Sequence, residues 1–240
     1  MGPTGTLPAQ QKNGSILLSA LSADDFARME DHLEPVTLRL KDVLGDGTRP
    51  LDHVYFPESG MISLLAEFGD NKAVEMASVG REGMAGMALF YDAGYLPEKI
   101  VVQLPGRALR MAAAAFRESL DECASLRHAL HRYAGCLYAF AAHNTACGLK
   151  HRTTARLARW LLHACDQSGT VNLQLTHVYA ATMLGVRRSS VTVSAGELRA
   201  RRLVDYTRST IQVVDRPGLE EVACECYATI RSTYDRLIVR

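Results

Sequence analysis

The chain has 240 residues with 27 Lys+Arg against 26 Asp+Glu, a formal net charge of +1, so total charge alone gives no sign of a polyanionic partner. No apolar run reaches the roughly 18 residues of a membrane-spanning helix, and the length favours two domains over one. Six cysteines lie on apolar or helical patterns without disulfide-like spacing, as expected of a reduced cytoplasmic protein.

Residues 1–15 are rich in Gly, Pro, Gln and Thr, lack the apolar centre of a secretory signal, and predict a disordered leader. Ser22 to Leu33 reads as a short helix with Ser22 as its N-cap and Asp25 in its first turn. From Pro35 the pattern changes to short apolar runs: Val36 to Leu40, His53 to Phe56, Met61 to Phe68, Ala73 to Val79, Ile100 to Leu104 and Ala108 to Met111. Turn signals separate them at Gly45-Asp46-Gly47, Pro57 to Gly60, Gly69-Asp70-Asn71 and Pro105-Gly106. Many short strands at this spacing predict an antiparallel β-roll of the jelly-roll or double-stranded β-helix kind. Helical sequence returns at Ala112 and continues to Gly169, giving an α+β chain.

Within that helical stretch, Leu126, Leu130, Tyr133, Leu137, Phe140, Asn144 and Cys147 are spaced alternately four and three apart, a heptad seam over three repeats. The seam predicts a two-helix homodimer interface in which Asn144 fixes register; the competing reading is a stripe that packs on the chain's own roll. His143, Cys147 and His151 recur every four residues, a spacing that can set ligands on one helix face. Small buried thiols usually behave as hydrophobes, however, and Cys224 and Cys226 at i, i+2 on a helix would point apart. No metal and no cofactor are therefore expected, and a thiol- or metal-responsive sensor using Cys147 and the neighbouring histidines is the alternative.

Residues 176–198 read as a helix-turn-helix. Thr176 is a natural N-cap, Val178, Ala181, Met183 and Leu184 give the first helix a buried face, Gly185 permits the turn, and Val186 plugs the angle. The second helix opens on Arg187, Arg188, Ser189 and Ser190, with Val191, Ala195 and Leu198 facing inward. Its outer face, Arg188, Ser189, Thr192 and Val193, suits base edges in a major groove, while Thr176, Arg187, Ser190 and Arg208 suit phosphates. Residues 205–214 alternate as a hairpin with a polar tip, which makes the unit a winged helix with Arg208 on the wing. Charge follows the same division. Residues 149–240 carry 14 Lys+Arg against 8 Asp+Glu, and residues 1–148 carry 13 against 18, the footprint of a basic DNA module joined to an acidic partner domain.

The order roll, seam helix, winged helix resembles the Crp/Fnr superfamily of bacterial transcription regulators. The blocks that carry the resemblance are His53 to Gly60, Val79-Gly80-Arg81-Glu82-Gly83-Met84, Leu184 to Thr192 and Ile211 to Leu219, and it extends over roughly Ser15 to Ile238. It implies a cyclic-nucleotide-binding-like roll over 16–122, a dimerisation helix over 123–150, and a winged helix-turn-helix over 151–240. It also implies a homodimer on an inverted repeat of double-stranded promoter DNA, and RNA polymerase as a further partner. Gly80, Glu82, Gly83 and Met84 match the turn that holds a cyclic nucleotide in relatives, with Lys99 as the nearest cation of the later segment. No arginine stands where relatives grip the phosphate, and a lysine cannot make the planar two-pronged contact. The expectation is a regulator that does not answer to cyclic AMP and whose effector is unidentified. No nucleophile and base constellation of an enzyme is found.

Overall fold

The computed structural model describes residues 14–69, 73–207 and 209–238. Most of the predicted leader, residues 1–13, lies outside the described residues, and its end belongs to the fold. Gly14 N–H donates to Glu58 Oε1 at 3.0 Å, and Ser15, buried, caps α1 (Ile16–Ser19) by accepting from Leu18 N–H. Leu17 and Leu18 of α1 are core residues, which is why the leader cannot extend to residue 15. Helix α2 (Ala23–Met29) follows with Ser22 as its N-cap, as the sequence predicts, and its last turn tightens into a 3-10 turn over Glu30–His32.

The roll is two facing antiparallel sheets. One has the order β1 (Glu34–Leu38), β7 (Gly106–Ala112), β3 (His53–Pro57). The other has the order β2 (Val43–Gly45), β6 (Lys99–Leu104), β4 (Met61–Glu67), β5 (Ala73–Val79). Alternation explains the unusually continuous apolar runs in β4 and β6. Ile62, Leu64, Ile100 and Val102 point into the roll, while Met61, Leu65, Val101 and Leu104 point outward into a second core shared with the carboxyl-terminal domain. A strand buried on both faces has no reason to alternate polar and apolar residues. The short helix α3 (Met87–Phe90) lies in the connection from β5 to β6, and helix α4 (Ala113–Glu122) leads from the roll to the long helix α5 (Ala124–Lys150).

After α5 the chain forms α6 (Thr153–Ser168), β8 (Asn172–Leu173), α7 (His177–Leu184), α8 (Arg188–Ala200), β9 (Val204–Tyr206), β10 (Ile211–Val213), α9 (Arg216–Val222) and α10 (Cys226–Leu237). Strands β8, β10 and β9 make a three-stranded wing, so the predicted hairpin gains a strand from Asn172 and Leu173, too short a pair to signal in sequence. Helix α10 does not stay with the winged helix to which residues 151–240 are assigned above. It returns antiparallel along α5, with Cys136 Sγ 3.8 Å from Thr233 O and Arg132 Nη2 donating to Arg236 O at 3.3 Å, and Ile230, Tyr234 and Ile238 join the roll core.

That return corrects the dimer seam. Leu126, Leu130, Tyr133 and Phe140 are buried within one chain, in the core that the roll shares with α2 and α10, with Leu137 partly buried at its edge. Asn144 is tied to the roll: its Nδ2 donates to Glu75 O at 2.6 Å and Met76 O at 3.2 Å. Cys147 is turned to the carboxyl-terminal cysteines. The heptad spacing is real, but the partner that fills it is the chain itself, since an apolar helical stripe carries no label for what covers it. Leu130→Ala should therefore cost about 2–5 kcal/mol of stability in chemical denaturation, while sedimentation shows an unchanged subunit count.

Candidate nucleic-acid interface

Helices α7 and α8 are joined as the sequence predicts. Thr176 Oγ1 accepts from Tyr179 N–H at 3.2 Å to start α7, and Gly185, at φ 61°, closes it in the left-handed conformation that favours glycine. Ala181, Met183 and Leu184 are buried, whereas Val178, expected inside, is 53% exposed. In α8, Val191, Ala195 and Leu198 are buried, so the opposite face is presented outward. Arg187, Arg188, Ser189, Thr192 and Val193 are exposed and Ser190 is half-buried. Arg187 caps α8 without a side-chain hydrogen bond. The first turn thus presents backbone N–H groups and two guanidiniums at a positive helix end, the arrangement an anionic phosphate fits. Arg208 lies outside the described residues.

Two contacts tie this reading surface to its supports. Thr192 Oγ1 donates to Arg188 O at 3.1 Å and lies 3.2 Å from His177 Nδ1 of α7. Arg199 pairs with Asp205 at 3.0 Å, and its guanidinium lies 4.9 Å from the centre of the Tyr206 ring, so this arginine holds the wing to α8 instead of facing outward freely. An open cleft of about 1040 Å³ separates Phe68, Ala73 and Val74 of the roll from Thr182, Arg187 and Arg188.

The proposed nucleotide turn is occupied by the protein. Glu82 Oε1 accepts from Gly80 N–H at 3.1 Å and from Gln167 Nε2 at 2.9 Å, and burial raises its carboxyl above the usual range. A Cβ on Gly83 would collide with the Tyr133 ring and hydroxyl, and Met84 is fully buried. Lys99 pairs with Glu67 at 2.9 Å and sits beside Leu65, three residues along β4 from Ile62, the partner of Val79. The structure does not gather these five residues around one cavity.

Two groups come together only in the structure. One is a buried polar junction between the roll and the carboxyl-terminal domain. Glu75 of β5 accepts from Ser63 Oγ at 2.5 Å and from Trp160 Nε1 at 2.8 Å, and Arg159 Nη2 donates to Asn144 Oδ1 at 2.5 Å beside it. A glutamate in the middle of a strand reads as a solvent-facing position, and only the domain docking buries it. The other is a set of potential metal ligands: Cys147, His151, Cys224 and Cys226 place one ligand atom each within 4.8 Å of one another. Cys147 and Cys224 share a hydrogen bond at 3.4 Å, which, with Arg159 and His151 beside it, pushes Cys147 down to about 4; the same bond, together with burial, holds Cys224 up. The expectation that Cys224 and Cys226 diverge fails because Cys224 precedes α10, so the helical i, i+2 geometry does not apply. His143 is not in the set.

With this geometry in place, comparisons locate the chain among known proteins. Residues 155–222 match the Crp-like helix-turn-helix domain. No curated protein matches the chain. Among solved structures, the c-di-GMP responsive global regulator CLP of Xanthomonas campestris superposes with a TM-score of 0.64 at 15% identity, covering 80% of this chain and 99% of that one. A Crp/Fnr-family transcriptional regulator of Thermus thermophilus gives 0.57 at 24% identity, covering 79% and 98%. A second, a Crp-family regulator of the same organism, gives 0.62 at 18%, covering 78% and 96%. At these identities the likeness is one of fold: an α+β chain with a β-roll followed by a helix-turn-helix. No helix among the described residues is long and apolar enough to cross a membrane.

Burial raises Glu75 from 4.5 to about 7, against the lowering effect of Ser63, Trp160 and Arg159. The folded state therefore holds this proton more tightly than the unfolded chain. Its contribution to stability is complete below about pH 4.5 and is lost as pH rises through about 7. Glu75→Gln should flatten that part of the stability profile in denaturation measured from pH 5 to 8, while wild type weakens across it.

Proposed function

We propose that the protein is a sequence-specific, DNA-binding transcription regulator of the Crp/Fnr type. The observation that carries this is the exposed, basic, uncapped start of α8 within the segment that matches a Crp-like helix-turn-helix domain. Arg188 is the reader of guanine, through O6 and N7, with Ser189, Thr192 and Val193 beside it; Arg187, Ser190, Thr176 and Arg208 contact phosphate. The target is double-stranded promoter DNA, with RNA polymerase as a further partner in the cytoplasm.

The regulator acts as a homodimer on an inverted repeat, and the supporting surface is a different stripe of the same long helix. Tyr138, Ala142, Thr145 and Leu149 are spaced four, three and four apart and are all exposed. Tyr138 is 78% and Leu149 89% exposed, an unusual position for large apolar side chains. A second copy of α5 supplies the matching surface, with small residues allowing close approach. Control by cyclic AMP is not part of the reading, because the turn at Gly80 to Met84 is filled by Gln167 and Tyr133.

Arg188→Ala should lose about 1–3 kcal/mol of discrimination between the selected site and mismatched duplex in binding titrations. Unchanged selectivity would remove α8 as the reading helix. Tyr138→Asp together with Leu149→Asp should convert the dimer to monomer in sedimentation and weaken binding to the full inverted repeat far more than to a half-site.

A further inference from the structure

The two chain crossings between the winged-helix domain and the rest of the protein lie side by side. The domain is entered through the extended residues His151 and Arg152 after α5 and is left through residues 223–225 before α10. Cys147 precedes and His151 opens the first crossing, and Cys224 lies in and Cys226 follows the second. Their sulfurs form a small cluster separate from both main cores, with Ala155 packed against it.

From this placement we infer that Cys147, His151, Cys224 and Cys226 form a tetrahedral three-cysteine, one-histidine site for a zinc-class divalent ion. In such a site, metal–sulfur distances of about 2.3 Å set neighbouring sulfurs roughly 3.8 Å apart. Here Cys147 Sγ lies 3.4 Å from Cys224 Sγ, Cys226 Sγ lies 3.8 Å from His151 Nδ1, and all four atoms fall within 4.8 Å. The widest separation, within 4.8 Å, has to close by about 1 Å to reach that spacing.

The surroundings fit an ion as well as the ligands do. His151 turns Nδ1 to the thiols and Nε2 to Glu225 Oε1 at 3.1 Å, the carboxylate support that orients a metal-bound imidazole. Three thiolates and one neutral imidazole around a divalent cation leave one negative charge. Arg159 is 1% exposed beside the cluster, and its Nε and Nη1 have no hydrogen-bond partner, so a positive charge is already buried where the complex would need it. Each thiol that binds the ion releases its proton to solvent, up to three per ion, and no electron is transferred. The set is specific among the buried cysteines: Cys123, Cys136 and Cys165 are buried free thiols elsewhere in the fold.

The test uses the full chain, reduced and freed of metal, with its six thiols confirmed by titration and its fold by circular dichroism. Co²⁺ is the probe, and no DNA is present, so the outcome is independent of the regulatory reading. The expected result is one Co²⁺ per chain with near-ultraviolet sulfur-to-cobalt charge transfer and the strong visible bands of a tetrahedral ion. Zn²⁺ should displace it, and protons should be released on binding. His151→Ala, at the exposed edge of the cluster, and Cys226→Ser should each weaken binding at least about tenfold, and Glu225→Gln about 10–100-fold. Cys123→Ser and Cys165→Ser should leave it unchanged. A folded chain with six free thiols and no charge-transfer band overturns the site. So does affinity unchanged in both His151→Ala and Cys226→Ser, or a Cys147 to Cys224 disulfide that forms on mild oxidation in a chain that takes up no Co²⁺.

Discussion

The organisation of the molecule depends on burial of one sheet on both faces. Strands β4, β5 and β6 close the roll with one set of side chains and receive the carboxyl-terminal domain with the other. Polar groups caught in such an interface must find partners there, because water no longer supplies them. Glu75 is the sharpest case. It is held by Ser63 on the neighbouring strand and by Trp160 on α6, while Asn144 from α5 caps the backbone oxygen of the same residue. Roll, long helix and winged helix therefore meet at one residue, the first and last at its carboxyl group and the long helix at its backbone oxygen.

Local chemistry in the sequence was sufficient where an element's identity depends on its own residues. Ser22 and Thr176 cap helices, Gly185 makes the turn, and Val191, Ala195 and Leu198 turn inward with the predicted period. Six of the roll's strands follow from apolar runs in the same way, whereas β2 (Val43–Gly45) falls where the sequence offers only a turn signal at Gly45. What failed depends on distant contacts. The stripe from Leu126 to Phe140 has the same spacing whether a second helix or a β-roll covers it, and the choice is made by α10, some 90 residues further on. Val178 illustrates the same limit on a smaller scale: the helix period is right, but the packed face is rotated away from it.

The metal-ligand set was hidden for a related reason. Spacing within one helix brings out His143, Cys147 and His151, yet two of the four clustered side chains come from the other end of the chain. Cys224 looks mispaired with Cys226 only if both are given helical geometry. Once α10 begins at Cys226, the preceding residues are free to bend, and both sulfurs reach the end of α5.

These placements define how the reading domain is hung. Both of its covalent connections pass the cluster of Cys147, His151, Cys224 and Cys226. On the roll side it is held by the Glu75 junction and by the close approach of Gly185 to Val74, where a Cβ would lie 3.2 Å from Val74 Cγ2. The first restraint weakens when a buried carboxylate must carry its charge, and the second is a contact between small apolar groups. The carboxyl-terminal domain is thus fixed at two places, beside its chain crossings and where α6 and the turn between α7 and α8 meet β5.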